Sequence, residues 1–272
     1  MFDSKVIIIT GGSSGIGKEL AGRLIKRGAG IALIARDEAK LRSVKDELTA
    51  VSPGGRRIES FSCDVSDAAT VENTFRKIAD DLGPPDILIN SAGVLRESYF
   101  EKQSLETFRE IMDINYFGTL HCIKAVLPYF KKKGGGRIVN ICSMGGLMGT
   151  FGYAAYCSSK FAVTGLTESL RVELKPQNIK FHLVCPPEFE SPMVDDINTY
   201  RTPENRHMVH TIPVLTVDEV ADAIMSGLEK DKYIIIPGRV SKMVEKLNRL
   251  LPGLGRIVVD SRLKKVYRGP EN

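Results

Sequence analysis

The sequence predicts an α/β fold, a doubly wound parallel sheet of about seven strands with helices on both faces. Three observations carry this. Short β-branched runs alternate with longer amphipathic segments. Several of the runs are apolar almost throughout, as strands buried on both faces must be. A glycine-rich turn follows the first of them directly. Strands are expected at 5–10, 30–35, 58–62, 87–90, 137–143, 181–185 and 233–236. Helices are expected between them at 16–26, 38–50, 69–82, 105–130, 155–173 and 217–229. The first strand reads Lys-Val-Ile-Ile-Ile-Thr, and the second reads Gly-Ile-Ala-Leu-Ile-Ala before Arg36 and Asp37, the latter suited to cap the next helix. Pro84-Pro85 and Gly134-Gly135-Gly136 punctuate the loops before the fourth and fifth strands. One region breaks the rhythm. Residues 186–213 hold five prolines just after a strand, where a sheet of this kind opens its ligand crevice, so a substrate loop is expected there. Residues 1–236 read as one catalytic domain and 237–272 as an extension.

Composition narrows the function. Hydrophobic residues at 43 % and charged residues at 26 % suit a globular domain and exclude a disordered or collagen-like chain. The five cysteines are odd in number and form no C-x-x-C pair, so reduced core thiols are expected, with a reducing, cytoplasmic setting. No secretory signal pattern opens the sequence. The uncharged stretch 138–159 carries glycines, serines, Asn140 and two tyrosines, and reads as strand, loop and helix start rather than a membrane span. The net charge of +5 is uneven: residues 237–272 carry nine Lys/Arg against three Asp/Glu, which leaves −1 for the rest. That excludes a generally basic nucleic-acid-binding surface and marks the tail as a local interaction element.

The turn Thr10-Gly11-Gly12-Ser13-Ser14-Gly15-Ile16-Gly17 joins an apolar strand to a helix. Glycines there let the backbone approach a pyrophosphate, whose charge then sits at the helix N-terminus. The fold is thus of Rossmann type, and a dinucleotide is the expected cofactor. Where a 2′-hydroxyl is read, the second strand ends in Asp or Glu. This chain has Arg36 instead, with Lys40 four residues on, which favours the 2′-phosphate of NADP(H).

Reducing a carbonyl needs a proton donor at the nascent alkoxide and a group that polarises the oxygen. Tyr156 and Lys160 stand four apart, on one face of a helix, where the cation can favour the phenolate. Ser143 ends the fifth strand on the ligand side, and Asn90-Ser91-Ala92-Gly93 ends the fourth with small residues. Asn115 sits in the preceding helix, placed to organise a water near Lys160.

These residues, with Asp64, resemble the short-chain dehydrogenase/reductase family over 4–236. The resemblance implies a catalytic tetrad of Asn115, Ser143, Tyr156 and Lys160. It implies that Lys160 and Tyr156 also border the nicotinamide ribose, that Asp64 and Val65 contact adenine, and that Asn90, Ala92 and Gly93 line the cofactor. With Thr10, Gly11, Ser13, Ser14, Gly15, Ile16, Gly17, Arg36 and Lys40, they make up the expected NADP(H) site, and no metal is expected. The family pattern departs at Cys185-Pro186-Pro187-Glu188, where Pro-Gly is usual; Pro186 still borders the cofactor and Ser191 supplies the hydroxyl of the usual Thr. This acidic Pro-Pro pattern, with Thr10-Gly-Gly-Ser-Ser-Gly and Ala35-Arg36, is similar to the 3-ketodihydrosphingosine reductases. It implies reduction of a long-chain, lipid-like ketone. A 3-oxoacyl thioester, a steroid or another hydroxy compound remains the alternative on the same residues, and a non-catalytic dinucleotide-binding regulator the alternative of another class. The resemblance also implies a homodimer or homotetramer through 105–130 and 155–173.

In the tail, Val240, Met243, Val244, Leu247, Leu250 and Leu251 form one helical stripe, with Lys242, Lys246 and Arg249 on other faces. A second segment, 254–266, sets Ile257, Val258, Val259 and Leu263 among Arg256, Arg262, Lys264 and Lys265. Two roles are open to 240–266: peripheral contact with the cytosolic face of a membrane, or packing on the enzyme body or a second subunit. The tail is too short in apolar residues to span a bilayer.

Overall fold

The structure, a computed structural model, describes residues 1–209 and 211–267. Seven parallel strands form one sheet in the order β3-β2-β1-β4-β5-β6-β7. They are β1 (Val6–Thr10), β2 (Gly30–Ala35), β3 (Ile58–Ser62), β4 (Ile87–Asn90), β5 (Gly136–Ile141), β6 (Ile179–Val184) and β7 (Ile234–Ile235). The order in which strands are added reverses between β1 and β4, so a crevice opens at their carboxyl ends. The alternation of side chains explains the apolar runs. Ile7, Ile9, Ile31 and Leu33 enter one core, while Ile8, Ala32 and Ile34 enter the other. The first core is closed by α1 (Gly15–Ile25), α2 (Glu38–Ala50) and α9 (Val217–Glu229); the second is closed by α3 (Ala68–Leu82) and α5 (Gly118–Lys133).

Caps set the helix starts. Asp37 accepts from the Lys40 amide and Asp67 from those of Ala69 and Thr70, while Thr216 and Glu219 form a reciprocal capping box. The single helix expected over 105–130 is divided. It becomes α4 (Leu105–Met112), a π-helical turn at Asp113–Phe117, and α5. The wide turn belongs to Asn115, whose side chain is drawn into bonds with Val94 and Ser159, while Thr119 Oγ1 donates to the Asn115 carbonyl at 2.8 Å. A period-3.6 pattern cannot reveal a turn created by such a tertiary bond.

The proline-rich segment is ordered as α7 (Pro192–Asn198) and α8 (Pro203–Val209), after α6 (Ala154–Glu173). The tail forms α10 (Arg239–Leu250) and α11 (Pro252–Tyr267), and α11 packs on both α10 and α8. In the second tail segment, the side chains of Leu254, Val258, Lys265 and Val266 lie outside the described residues, as do 268–272 and His210. Among the described residues, no helix is long and apolar enough to cross a membrane. The five cysteines are all buried and unbridged.

Candidate active site

A cleft of about 910 Å³ opens at the carboxyl ends of the strands and reaches the tail helices. At one end it is lined by Gly11, Ser14, Gly15, Ile16, Ser91 and Gly93. Here the backbone comes close to itself. A Cβ on Gly17 would lie 2.4 Å from the Gly11 carbonyl oxygen, and one on Gly11, whose φ is +67°, would lie 2.8 Å from that of Ser91. Ser14 leads into α1 without a side-chain cap, so the first amides of the helix are left to whatever fills the cleft. Asn90 donates to Asn140 at 2.8 Å, but its own Oδ1 is buried without a partner among the described residues. Open helix amides and an orphaned acceptor beside a glycine cradle fit a dinucleotide at this end.

Not every residue assigned to the cofactor touches the cleft. Thr10 is buried, and its hydroxyl accepts from the Ser91 and Ala92 amides at 3.0 Å each, which ties β1 to the β4 loop. Ser13 is half-buried beside Ser14. Arg36, just past β2, and Lys40, in the first turn of α2, are exposed. Asp37 turns to its helix cap, as expected. Asp64 Oδ1 accepts from the amide and hydroxyl of Ser66, and the buried Val65 gives its carbonyl to His121. These four residues, Arg36, Lys40, Asp64 and Val65, sit outside the main lining, around the ends of β2 and β3. Pro186 and Ser191 do line it, and Ser191 caps α7 through the Val194 amide.

The reacting groups lie in the middle. Ser143 follows β5 and is pinned beside β6, because Met144 N–H donates to the Pro186 carbonyl at 2.9 Å. Tyr156 and Lys160 stand one turn apart near the start of α6 and both line the cleft. The Lys160 Nζ lies 5.6 Å from the Tyr156 ring centre and donates to the Ile141 carbonyl at 3.0 Å. Lys160 is 5 % exposed, with no carboxylate within 4.0 Å among the described residues. Burial pulls the Lys160 ammonium below its usual range. Burial pushes the Tyr156 phenol well above its own, with the neighbouring Ser143 hydroxyl pulling the other way. Desolvation thus sets the direction of the phenol's shift here. Asn115 is fully buried. Its Oδ1 accepts from Val94 N–H at 2.8 Å, and its Nδ2 donates to Val94 and to Ser159 Oγ. The amide thus braces the β4 loop against α6, and both Asn115 Oδ1 and Lys160 Nζ converge on Gly93, at 3.2 and 3.7 Å from where its Cβ would be.

The far wall was not legible as a wall. Met148, Tyr153, Phe189 and Ile197 are joined by Val240, Met243, Val244 and Leu247 of α10, so the apolar stripe of the tail faces the cleft. The stripe's spacing was visible; its partner was not.

The profile of the short chain dehydrogenase family matches residues 5–202. The chain belongs to that family. A Bos taurus protein named 3-ketodihydrosphingosine reductase is 39 % identical over 84 % of this chain and 69 % of its own. Among solved structures, a short-chain dehydrogenase from Sphingobium yanoikuyae in complex with NADPH is 29 % identical, with a TM-score of 0.78 over 92 % of this chain and 94 % of its own. A short-chain dehydrogenase/reductase from Burkholderia phymatum in complex with NAD has a TM-score of 0.82 over 93 % of this chain and 95 % of its own, but at 24 % identity it speaks for the fold alone. This chain is an oxidoreductase of the family, built for a nicotinamide dinucleotide.

Proposed function

We propose that this enzyme uses NADPH to reduce the ketone of 3-ketodihydrosphingosine to the alcohol, dihydrosphingosine. The observation that carries the reading is the cleft itself: Ser143, Tyr156 and Lys160 at its centre, and an apolar wall from α10 beyond them. The name of the Bos taurus relative supports the substrate, and Arg36 at the end of β2 supports NADPH. Gly11, Ser14, Gly15, Ile16, Ser91 and Gly93 would cradle the dinucleotide, with Asn90 offering its free Oδ1. When bound, the cofactor supplies the hydride. Tyr156 donates its proton to the ketone oxygen, Ser143 holds that oxygen, and Lys160 favours the phenolate left behind. Asn115 acts as a positioning residue, keeping the Gly93 loop and α6 in register.

The described tail supports the further assignment of residues 1–236 as the catalytic domain and 237–272 as an extension that completes its substrate cleft. The exposed Leu250, Leu251 and Ile257, close in sequence to Lys246, Arg249 and Arg256, support peripheral contact with the cytosolic face of a membrane by a cytoplasmic enzyme. Exposed Leu105, Phe117, Phe161 and Val172 on and between α4, α5 and α6 support a homodimer or homotetramer through those helices. The test is NADPH oxidation with 3-ketodihydrosphingosine in mixed micelles, beside a 3-oxoacyl thioester and a steroid ketone. Preference for the sphingoid ketone is expected; turnover of the other two alone would overturn the substrate assignment.

A further inference from the structure

The proline-rich segment carries a buried polar cluster that the hydride chemistry does not use. Arg201 has a fully buried side chain and donates from Nη2 to Glu188 Oε2 at 2.7 Å, while its Nε and Nη1 have no partner among the described residues. Two further carboxylates lie in the same knot. Glu97, 4 % exposed, accepts from both the amide and the hydroxyl of Thr202, and Glu204, 8 % exposed, accepts from the Tyr99 hydroxyl at 2.9 Å. Of the three carboxylates, only Glu188 is ion-paired to the guanidinium. Lys102 lies over the Tyr99 ring and Arg96 reaches toward Glu110, while Lys160, Arg256 and Arg262 line the cleft itself. A partly desolvated carboxylate held on one side by a single partner still favours a cation at its open oxygen.

Only Glu188 of the three lines the cleft. Its side chain keeps 11 % exposure, and its Oε1 makes no hydrogen bond among the described residues. The other cleft-lining carboxylate, Asp260, is exposed on α11. Glu188 is also close to the chemistry. It stands two residues beyond Pro186, whose carbonyl is bonded to the residue next to Ser143. Tyr153, edge-on to Tyr156 at 5.8 Å, has its phenol pushed up by burial and by Glu188, with Arg201 opposing. We propose that Glu188, held by Arg201, is the specificity residue that receives a primary ammonium on the carbon adjacent to the ketone. This rests on the reading of the substrate as a long-chain amino ketone, and it adds the group by which the cleft tells such a ketone from a 3-oxoacyl thioester or a steroid, which carry no cation there.

The test compares 3-ketodihydrosphingosine with the 1-hydroxy-3-ketone of equal chain length that lacks the amine, using NADPH and the full chain as wild type, Glu188→Gln and Glu188→Asp. The quantity read is the ratio of kcat/KM for the two ketones within one preparation, which is insensitive to how much of a variant is folded. Wild type is expected to prefer the amine. Glu188→Gln should lower the ratio about 10- to 100-fold, chiefly through KM, and Glu188→Asp should restore part of it. An unchanged ratio in Glu188→Gln overturns the proposal. Equal turnover of both ketones by wild type also overturns it, yet leaves the long-chain ketone reductase standing. Turnover of neither removes the substrate reading and the ammonium site with it.

Discussion

Replacing Lys160 with methionine separates catalysis from stability. The Nζ lies 5.6 Å from the Tyr156 ring centre. At an effective dielectric constant of ~20, a unit charge at that range favours a phenolate by about 3 kcal/mol. If that interaction is realised as Tyr156 gives up its proton, its loss slows reduction by a factor of about 100. Stability should move the other way or not at all. The ammonium is buried on one hydrogen bond, to the Ile141 carbonyl, and burial lowers its pKa from 10.5. A base whose folded pKa lies below its unfolded value binds fewer protons when folded. It therefore weakens the fold at neutral pH, and the deficit disappears as pH rises from the folded value toward 10.5. Methionine fills similar space without the charge. Lys160→Met should thus lose activity while holding or raising Tm, and its stability should rise less toward alkaline pH than that of wild type. Steady-state NADPH oxidation and thermal melts across pH read both effects. A variant that keeps kcat within about threefold, or one whose activity falls only as far as its folded fraction, would refute the assignment.

Tyr156→Phe should keep NADPH binding, read by cofactor fluorescence, and lose kcat by a factor on the order of 10²–10⁴; undiminished turnover would remove Tyr156 as proton donor. Arg36→Ala should weaken NADPH about 10- to 100-fold and leave NADH nearly unchanged; equal losses in titrations of both would detach Arg36 from the 2′-phosphate. Wild type should sediment with anionic liposomes at low salt and be released at high salt, whereas Leu250→Glu/Leu251→Glu should stay in the supernatant; wild type left in the supernatant counts against membrane contact. His182 is buried, with Nδ1 bonded to the Lys232 carbonyl and Nε2 to Arg137, and burial holds its pKa below 6.5. Unfolded chain then binds the extra proton first, so stability should fall as pH drops through 6.5 toward the folded value, and a His182→Gln variant should show a smaller fall in acid melts.

The sheet was legible because both of its faces are buried: Ile7 through Ile9 is apolar in every position, since alternate side chains enter different cores. The reacting groups were legible for a related reason. Tyr156 and Lys160 are held by helical spacing, and Ser143 by the end of a strand, so local geometry already brings them to one edge. Asn115 was found as a residue but not as a brace, because its partners Val94 and Ser159 lie 21 and 44 positions away. The same holds for the buried knot around Arg201. Glu97 and Thr202 are 105 residues apart, and no periodicity connects a carboxylate before α4 to a hydroxyl before α8. Thr10 carries a contact that its spacing did not reveal. Its place in the glycine turn pointed to the cofactor, yet its hydroxyl is spent on the β4 loop.

The tail had two readings, membrane contact or packing on the body, and the structure makes them compatible. Val240, Val244 and the partly exposed Leu247 line the cleft, while Leu250 at the end of α10 and Leu251 just beyond it are more exposed. One helix therefore runs from the reaction cleft to the surface with apolar side chains along its length. The consequence for a long alkyl chain is energetic. Each methylene moved from hydrocarbon into water costs about 0.8 kcal/mol, so a long-chain ketone that had to cross water would meet a barrier growing with every carbon. A continuous apolar path lets the chain leave a bilayer and enter the cleft a few carbons at a time, with only the polar head exchanging its surroundings. On this reading the exposed leucines belong to the same device as the half-buried valines, and removing the charge of the head-binding end or the greasiness of the outer end should impair different steps: discrimination at Glu188, delivery at Leu250 and Leu251.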